Sequence, residues 1–109
     1  MFLVLDGLEN FGESELRFFT PYLTSQRKEK VEKYKFLPDK ISSAAVFLLL
    51  RCALPEMKKE QLEFGFSQTG KPYFLSRGGV RFSLSHDRKG VCVCVSDKEV
   101  GEDIQELFP

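Results

Sequence analysis

The stretch PDKISSAAVFLLLR, residues 38–51, decides the fold. Proline is tolerated in the first turn of a helix and an aspartate favours its positive end, so Pro38 and Asp39 open a helix here. Over residues 44–50 apolar side chains then crowd every face, the pattern of a helix surrounded by protein rather than one lying on a surface. The spacing predicts a central helix, the spine of the core, ending near Pro55.

Toward the C-terminus, residues 61–66, 72–75, 80–84 and 91–95 are four short β-type runs separated by Gly70, Gly78-Gly79 and Gly90, which predicts a small antiparallel sheet. Cys92 and Cys94 share one face of the last run and read as buried core thiols rather than a metal pair. Toward the N-terminus, residues 2–5 form an apolar strand closed by Asp6 and Gly7. A short helix follows from Ser14 to the breaker Pro21, and Ser25 is the expected N-cap of a second helix through Lys35. That helix gives the core a narrow stripe, Val31 and Tyr34, and turns charged faces to water. Helices packed on one face of a small antiparallel sheet make the class α+β, with residues 1–109 as a single domain.

Composition narrows the function classes. Sixteen basic and sixteen acidic side chains in 109 residues leave no net charge, and the basic helix lacks interleaved aromatics, so nucleic acid is not an expected partner. The longest apolar run stops at Arg51, far short of the roughly 20 residues needed to cross a bilayer, and no membrane partner is expected. The N-terminus lacks the basic opening of a signal peptide, and three cysteines without a CxxC spacing fit a reducing, cytoplasmic setting. The charge is unevenly placed, however. Arg27, Lys28, Lys30, Lys33 and Lys35 crowd the second helix, whereas Asp97, Glu99, Glu102, Asp103 and Glu106 crowd the tail. Such a chain could hold an anion at one place and a cation at the other.

Four clusters carry chemistry. Gly70-Lys71-Pro72 reads as a turn. Phe82-Ser83-Leu84-Ser85-His86 runs a strand into the only histidine, which the following Asp87 and Arg88 place in a loop. Asp103 and Gln105 alternate with Ile104, so in an extended segment both point to one face, a partial site for a hard cation completed by substrate phosphates. Arg27 and Lys30 are the cationic pair on the basic helix.

In this order, with Gly70-Lys71-Pro72-Tyr73, Phe82-Ser83-Leu84-Ser85-His86-Asp87 and Val100-Gly101-Glu102-Asp103-Ile104-Gln105, the whole chain resembles the amino-terminal half of the surfactin-type 4′-phosphopantetheinyl transferases. That resemblance implies one half of a pseudo-dimer fold. It implies transfer of the 4′-phosphopantetheine arm of coenzyme A to a serine of an acyl or peptidyl carrier protein, with Mg2+, releasing adenosine 3′,5′-bisphosphate. By resemblance Arg27 and Lys30 take the 3′-phosphate side, Ser43 touches phosphate, and Lys71 and Pro72 lie against the nucleotide. Ser85 and His86 hold phosphate oxygens, His86 as a contact rather than a base, and Asp103 with Gln105 hold the metal.

The departures are specific. An arginine often precedes the position of Ser43, and here Ser42 stands there; Gln105 replaces the usual second acid. The family's second half carries a Lys-Glu helix that supplies a further metal ligand and activates the carrier serine, and its pattern does not occur in these 109 residues. The expectation is a first half with an incomplete catalytic set, joined by a partner half or by further copies of itself. The alternative is a non-catalytic coenzyme A-binding or protein-interaction module.

Overall fold

The computed structural model describes residues 1–75 and 81–96. Strand β1 (Phe2–Asp6) is followed by helices α1 (Glu13–Phe19), α2 (Ser25–Lys33) and α3 (Leu37–Ala53), then by strands β2 (Phe64–Phe66), β3 (Pro72–Phe74), β4 (Arg81–His86) and β5 (Gly90–Ser96). The class is α+β, three helices on small antiparallel sheets, and α3 is the spine that the sequence predicts. Ile41, Ala44, Ala45, Val46, Phe47 and Leu50 of α3 are all within 2% of complete burial, because α1 and α2 cover one side of it and β1, β4 and β5 the other. No helix among the described residues is long and apolar enough to cross a membrane.

The single sheet expected from four C-terminal runs is instead two. β1 returns to pair antiparallel with β5, which also pairs with β4, giving the order β1-β5-β4, while β2 and β3 form a separate hairpin. Register explains why β1 belongs with β5. Leu3 and Leu5 stand opposite Val93 and Val91 on the face toward α3, and Phe82 and Leu84 of β4 meet Val95 and Val93 on the same face. A shift by one residue would turn this apolar set to solvent. The same alternation bears out a buried thiol for Cys94 and corrects that reading for Cys92. They occupy the reverse face, Cys94 buried and Cys92 half-buried, and Val91, Val93 and Val95 face the main core.

Three boundaries also differ from expectation. Thr24, not Ser25, caps α2: its buried hydroxyl accepts from the Arg27 backbone N–H at 3.1 Å. The helix ends at Lys33, since Tyr34 turns to extended backbone and leads the chain into α3. The run 61–66 shortens to β2 because Gln61 spends its side chain on the Lys58 N–H at 2.7 Å, closing a tight turn over Lys59–Gln61.

The hairpin β2–β3 shares no ladder with the larger sheet and is held by other means. Phe64, Phe74 and Phe82 stack with centroids 4.4–5.7 Å apart. From α2, the Gln26 side-chain amide donates to the Phe64 carbonyl at 2.9 Å and accepts from its N–H at 2.8 Å, standing in for a neighbouring strand. Gln26→Ala is expected to cost about 1–3 kcal/mol in urea denaturation, because both backbone groups of Phe64 lose their partner in a half-buried place. A loss below measurement error would show the hairpin to be docked by its aromatics alone.

Candidate functional site

Helical spacing puts Gln26, Arg27, Lys30 and Lys33 on one stripe of α2, facing the hairpin. Between them lie two adjoining cavities of about 390 and 240 Å3 that share Arg27, Lys30, Phe64 and Phe66. The first is floored by Phe47 and rimmed by Glu29; the second extends past Gly70, Lys71 and Pro72 to Phe82, Leu84 and His86. Gly70 has a positive φ of 84° and donates to the Ser67 carbonyl at 2.9 Å, the turn that the sequence predicts, and Pro72 begins β3 directly after it.

Arg27 is the centre of the cleft and is 4% exposed, although the sequence assigns α2 mostly to water. Its guanidinium lies 5.4 Å from the ring centroids of both Phe47 and Phe64, and Nη1 donates to the buried Ser43 hydroxyl at 3.3 Å. Among the described residues no carboxylate pairs with it. No buried side-chain nitrogen there lacks a partner, so its remaining donors open onto the cleft. Burial pulls its pKa down to about 10, with a smaller opposing effect from Tyr34, and it stays charged at neutral pH. Lys30 is lowered as well, by burial and then by the Arg27 charge. A buried guanidinium whose charge also lowers the neighbouring Lys30, with no carboxylate paired to it among the described residues, makes a site suited to an anion.

His86 closes the far end. It is the last residue of β4 rather than part of a loop, because the ladder with β5 continues to the pair His86 and Val91 before Asp87 turns the chain. Its Nδ1 is 3.0 Å from the Ser42 hydroxyl, and Tyr34 meets its ring edge-on at 6.3 Å. Burial first, then Lys30 and Arg27, hold it below the ordinary value of 6.5, against the pull of Asp39 and Asp87. A histidine lowered on folding is protonated first in the unfolded chain, so stability is full above about pH 6.5 and falls as pH drops through it. Urea midpoints are therefore expected to fall from pH 8 to pH 5, and the His86→Gln variant to lose this part of the fall.

The structure thus brings together Arg27, Lys30, Lys71, Pro72 and His86 around one cleft, with Ser43 beneath it on Arg27. It does not bring Ser85 there. Ser85 stands opposite Cys92 on the reverse face of the sheet and hydrogen-bonds its thiol. Asp103 and Gln105 lie outside the described residues, and among those described no group of three or more His, Cys, Asp or Glu could hold a metal ion. Sequence reading missed the aromatic walls, Phe47, Phe64 and Phe66, which look like any core residues in a linear pattern. It also missed Ser42, whose only signal is a serine pair inside an apolar helix.

No protein-family model matches the chain. It is 30% identical over 101 residues to a 4′-phosphopantetheinyl transferase of Bacillus pumilus, covering 90% of this chain and 43% of that protein. A 4′-phosphopantetheinyl transferase of Bacillus subtilis is 23% identical over 90 residues, covering 80% of this chain and 40% of its own length. The chain therefore spans about two fifths of the curated relatives it matches. Among solved structures, a holo-(acyl-carrier-protein) synthase from Bacillus anthracis str. Ames, in complex with CoA (3′,5′-ADP), superposes with a TM-score of 0.62 at 18% identity. That match covers 86% of this chain and 90% of the other, and establishes the fold.

Proposed function

We propose that this chain, a relative of the 4′-phosphopantetheinyl transferases over part of their length, is the amino-terminal half of such an enzyme and holds the 3′-phosphorylated nucleotide of coenzyme A in the cleft of Arg27. One observation carries the reading: a buried guanidinium clamped between Phe47 and Phe64, with no carboxylate paired to it among the described residues, at the floor of a cleft that also presents Lys30 and Lys71. An arginine fork suits phosphate oxygens, and its charge gains most from an anion where water is excluded. Half-exposed Phe66, with Pro72, offers an apolar wall for the adenine.

In the transfer, the hydroxyl oxygen of a carrier-protein serine forms a bond to the phosphorus bearing the pantetheine arm. The bridging P–O bond breaks, adenosine 3′,5′-bisphosphate leaves, and the serine proton passes to a base. Such chemistry is mostly positioning and charge neutralisation. Arg27 and Lys30 anchor the leaving nucleotide, and His86 reaches a phosphate oxygen. Mg2+, when bound, supplies charge neutralisation at the pyrophosphate, and Asp103 and Gln105 are this chain's candidate ligands. The Lys-Glu helix, whose pattern does not occur in these 109 residues, and the base it carries would come from a partner half. The three cysteines fit a cytoplasmic setting.

Calorimetry with coenzyme A and with dephospho-coenzyme A tests the reading on the 109-residue chain. The 3′-phosphate is expected to raise affinity at least tenfold, about 1.4 kcal/mol. Equal binding of the two, or none, would leave Arg27 without its anion and the proposal without support.

A further inference from the structure

We propose that Ser42 fixes His86 in the Nδ1–H tautomer, so that an anion held by His86 in the cleft must bring one proton with it. This rests on the anion-binding reading above. The Ser42 hydroxyl has a single proton, and its oxygen lies 3.1 Å from the Asp39 carbonyl and 3.0 Å from His86 Nδ1. A carbonyl can only accept. The serine proton therefore goes to Asp39, the serine oxygen accepts from the imidazole, and Nδ1 carries the ring's hydrogen.

Nε2 is then the bare nitrogen of the neutral ring. It has no hydrogen-bond partner among the described residues, and since no buried side-chain nitrogen there lacks one, it reaches the cleft surface that His86 lines. A phosphate oxygen is an acceptor and repels a bare nitrogen. The ring cannot answer by moving its hydrogen to Nε2 without facing the Ser42 oxygen with a second acceptor. Protonation is what remains. The imidazolium donates to Ser42 and to the anion at once.

The charges facing His86 fit such a coupling. From α2 come Arg27 and Lys30, and the Tyr34 ring follows; from α3 comes Asp39; from the turn after β4 come Asp87 and Arg88, the last paired with Asp39 at 3.1 Å. In the empty cleft the two α2 cations oppose a third positive charge. A bound anion reverses the balance and admits the proton. Ser42 is thus a positioning residue, and coenzyme binding would strengthen as pH falls.

The chain's single histidine makes the test clean. In 15N NMR of the ligand-free chain at pH 8, the expected result is an Nδ1–H ring in the parent and a shift toward Nε2–H in Ser42→Ala. An Nε2–H ring in the parent overturns the inference. Calorimetry with 3′,5′-ADP in buffers of different ionisation enthalpy is expected to show uptake approaching one proton per anion. Affinity should fall up to tenfold per pH unit between pH 7 and 8.5, and Ser42→Ala should flatten both. Binding without proton uptake overturns the coupling. Failure of 3′,5′-ADP to bind an Nδ1–H chain would overturn the functional reading, and the coupling with it, leaving the tautomer assignment intact.

Discussion

Arg27→Met is expected to cut the affinity for 3′,5′-ADP about 30–100-fold while changing stability by no more than about 1 kcal/mol. The two effects separate because the guanidinium does different things in the empty and filled cleft. Without an anion in the cleft, burial holds the guanidinium well below its ordinary value, at about 10, which corresponds to roughly 3 kcal/mol against the charged form by about 1.4 kcal/mol per pKa unit. Two cation–π contacts of about 1 kcal/mol each and one hydrogen bond to Ser43 offset most of that. Methionine keeps an unbranched apolar stem between Phe47 and Phe64, so little net change in folding follows. In the filled cleft the anion loses its charge-assisted donors, about 2–3 kcal/mol. Urea denaturation and calorimetry on the same preparations separate the outcomes. A variant that unfolds readily yet still binds would make Arg27 a structural cation and remove the reason for placing phosphate there.

Phe74→Ala should have the larger effect on folding, about 3–5 kcal/mol. Phe74 is 1% exposed on a three-residue strand, and its ring stacks 4.4 Å from Phe82 and 5.7 Å from Phe64. The hairpin has no ladder to the larger sheet, so this aromatic stack and Gln26 carry its attachment. Domains of this size are stable by only about 5–15 kcal/mol, so the variant should be largely unfolded at modest urea concentrations. Its neighbour Tyr73, 42% exposed, lies over Gly65 at the surface, and Tyr73→Ala should cost less than about 1 kcal/mol. If both substitutions cost the same, the hairpin is not docked as described. Because Phe66, Lys71 and Pro72 ride on that hairpin, partial detachment should weaken 3′,5′-ADP binding as well.

What the sequence determined by itself is what periodicity can express. Residues 38–51 specify a helix buried on all sides, because apolar residues on every face admit no other stable placement. The short apolar runs at residues 2–5 and 91–95, bounded by glycine, specify strands. The order of the Gly-Lys-Pro, Ser-His and Gly-x-Asp segments carried the resemblance to a family, and Arg27, Lys30, Lys71 and His86 were legible as cationic or titratable residues. Tertiary structure alone decided the rest. A pattern shows which face of an element is apolar but not which distant segment covers it. So the closing of β1 onto β5, the split into two sheets and the seating of Arg27 between Phe47 and Phe64 follow from which pairings bury the most apolar surface once the chain has closed. Ser85 and His86 are neighbours in sequence, yet the two-residue period of a strand puts them on opposite faces, and only one of them lines the cleft.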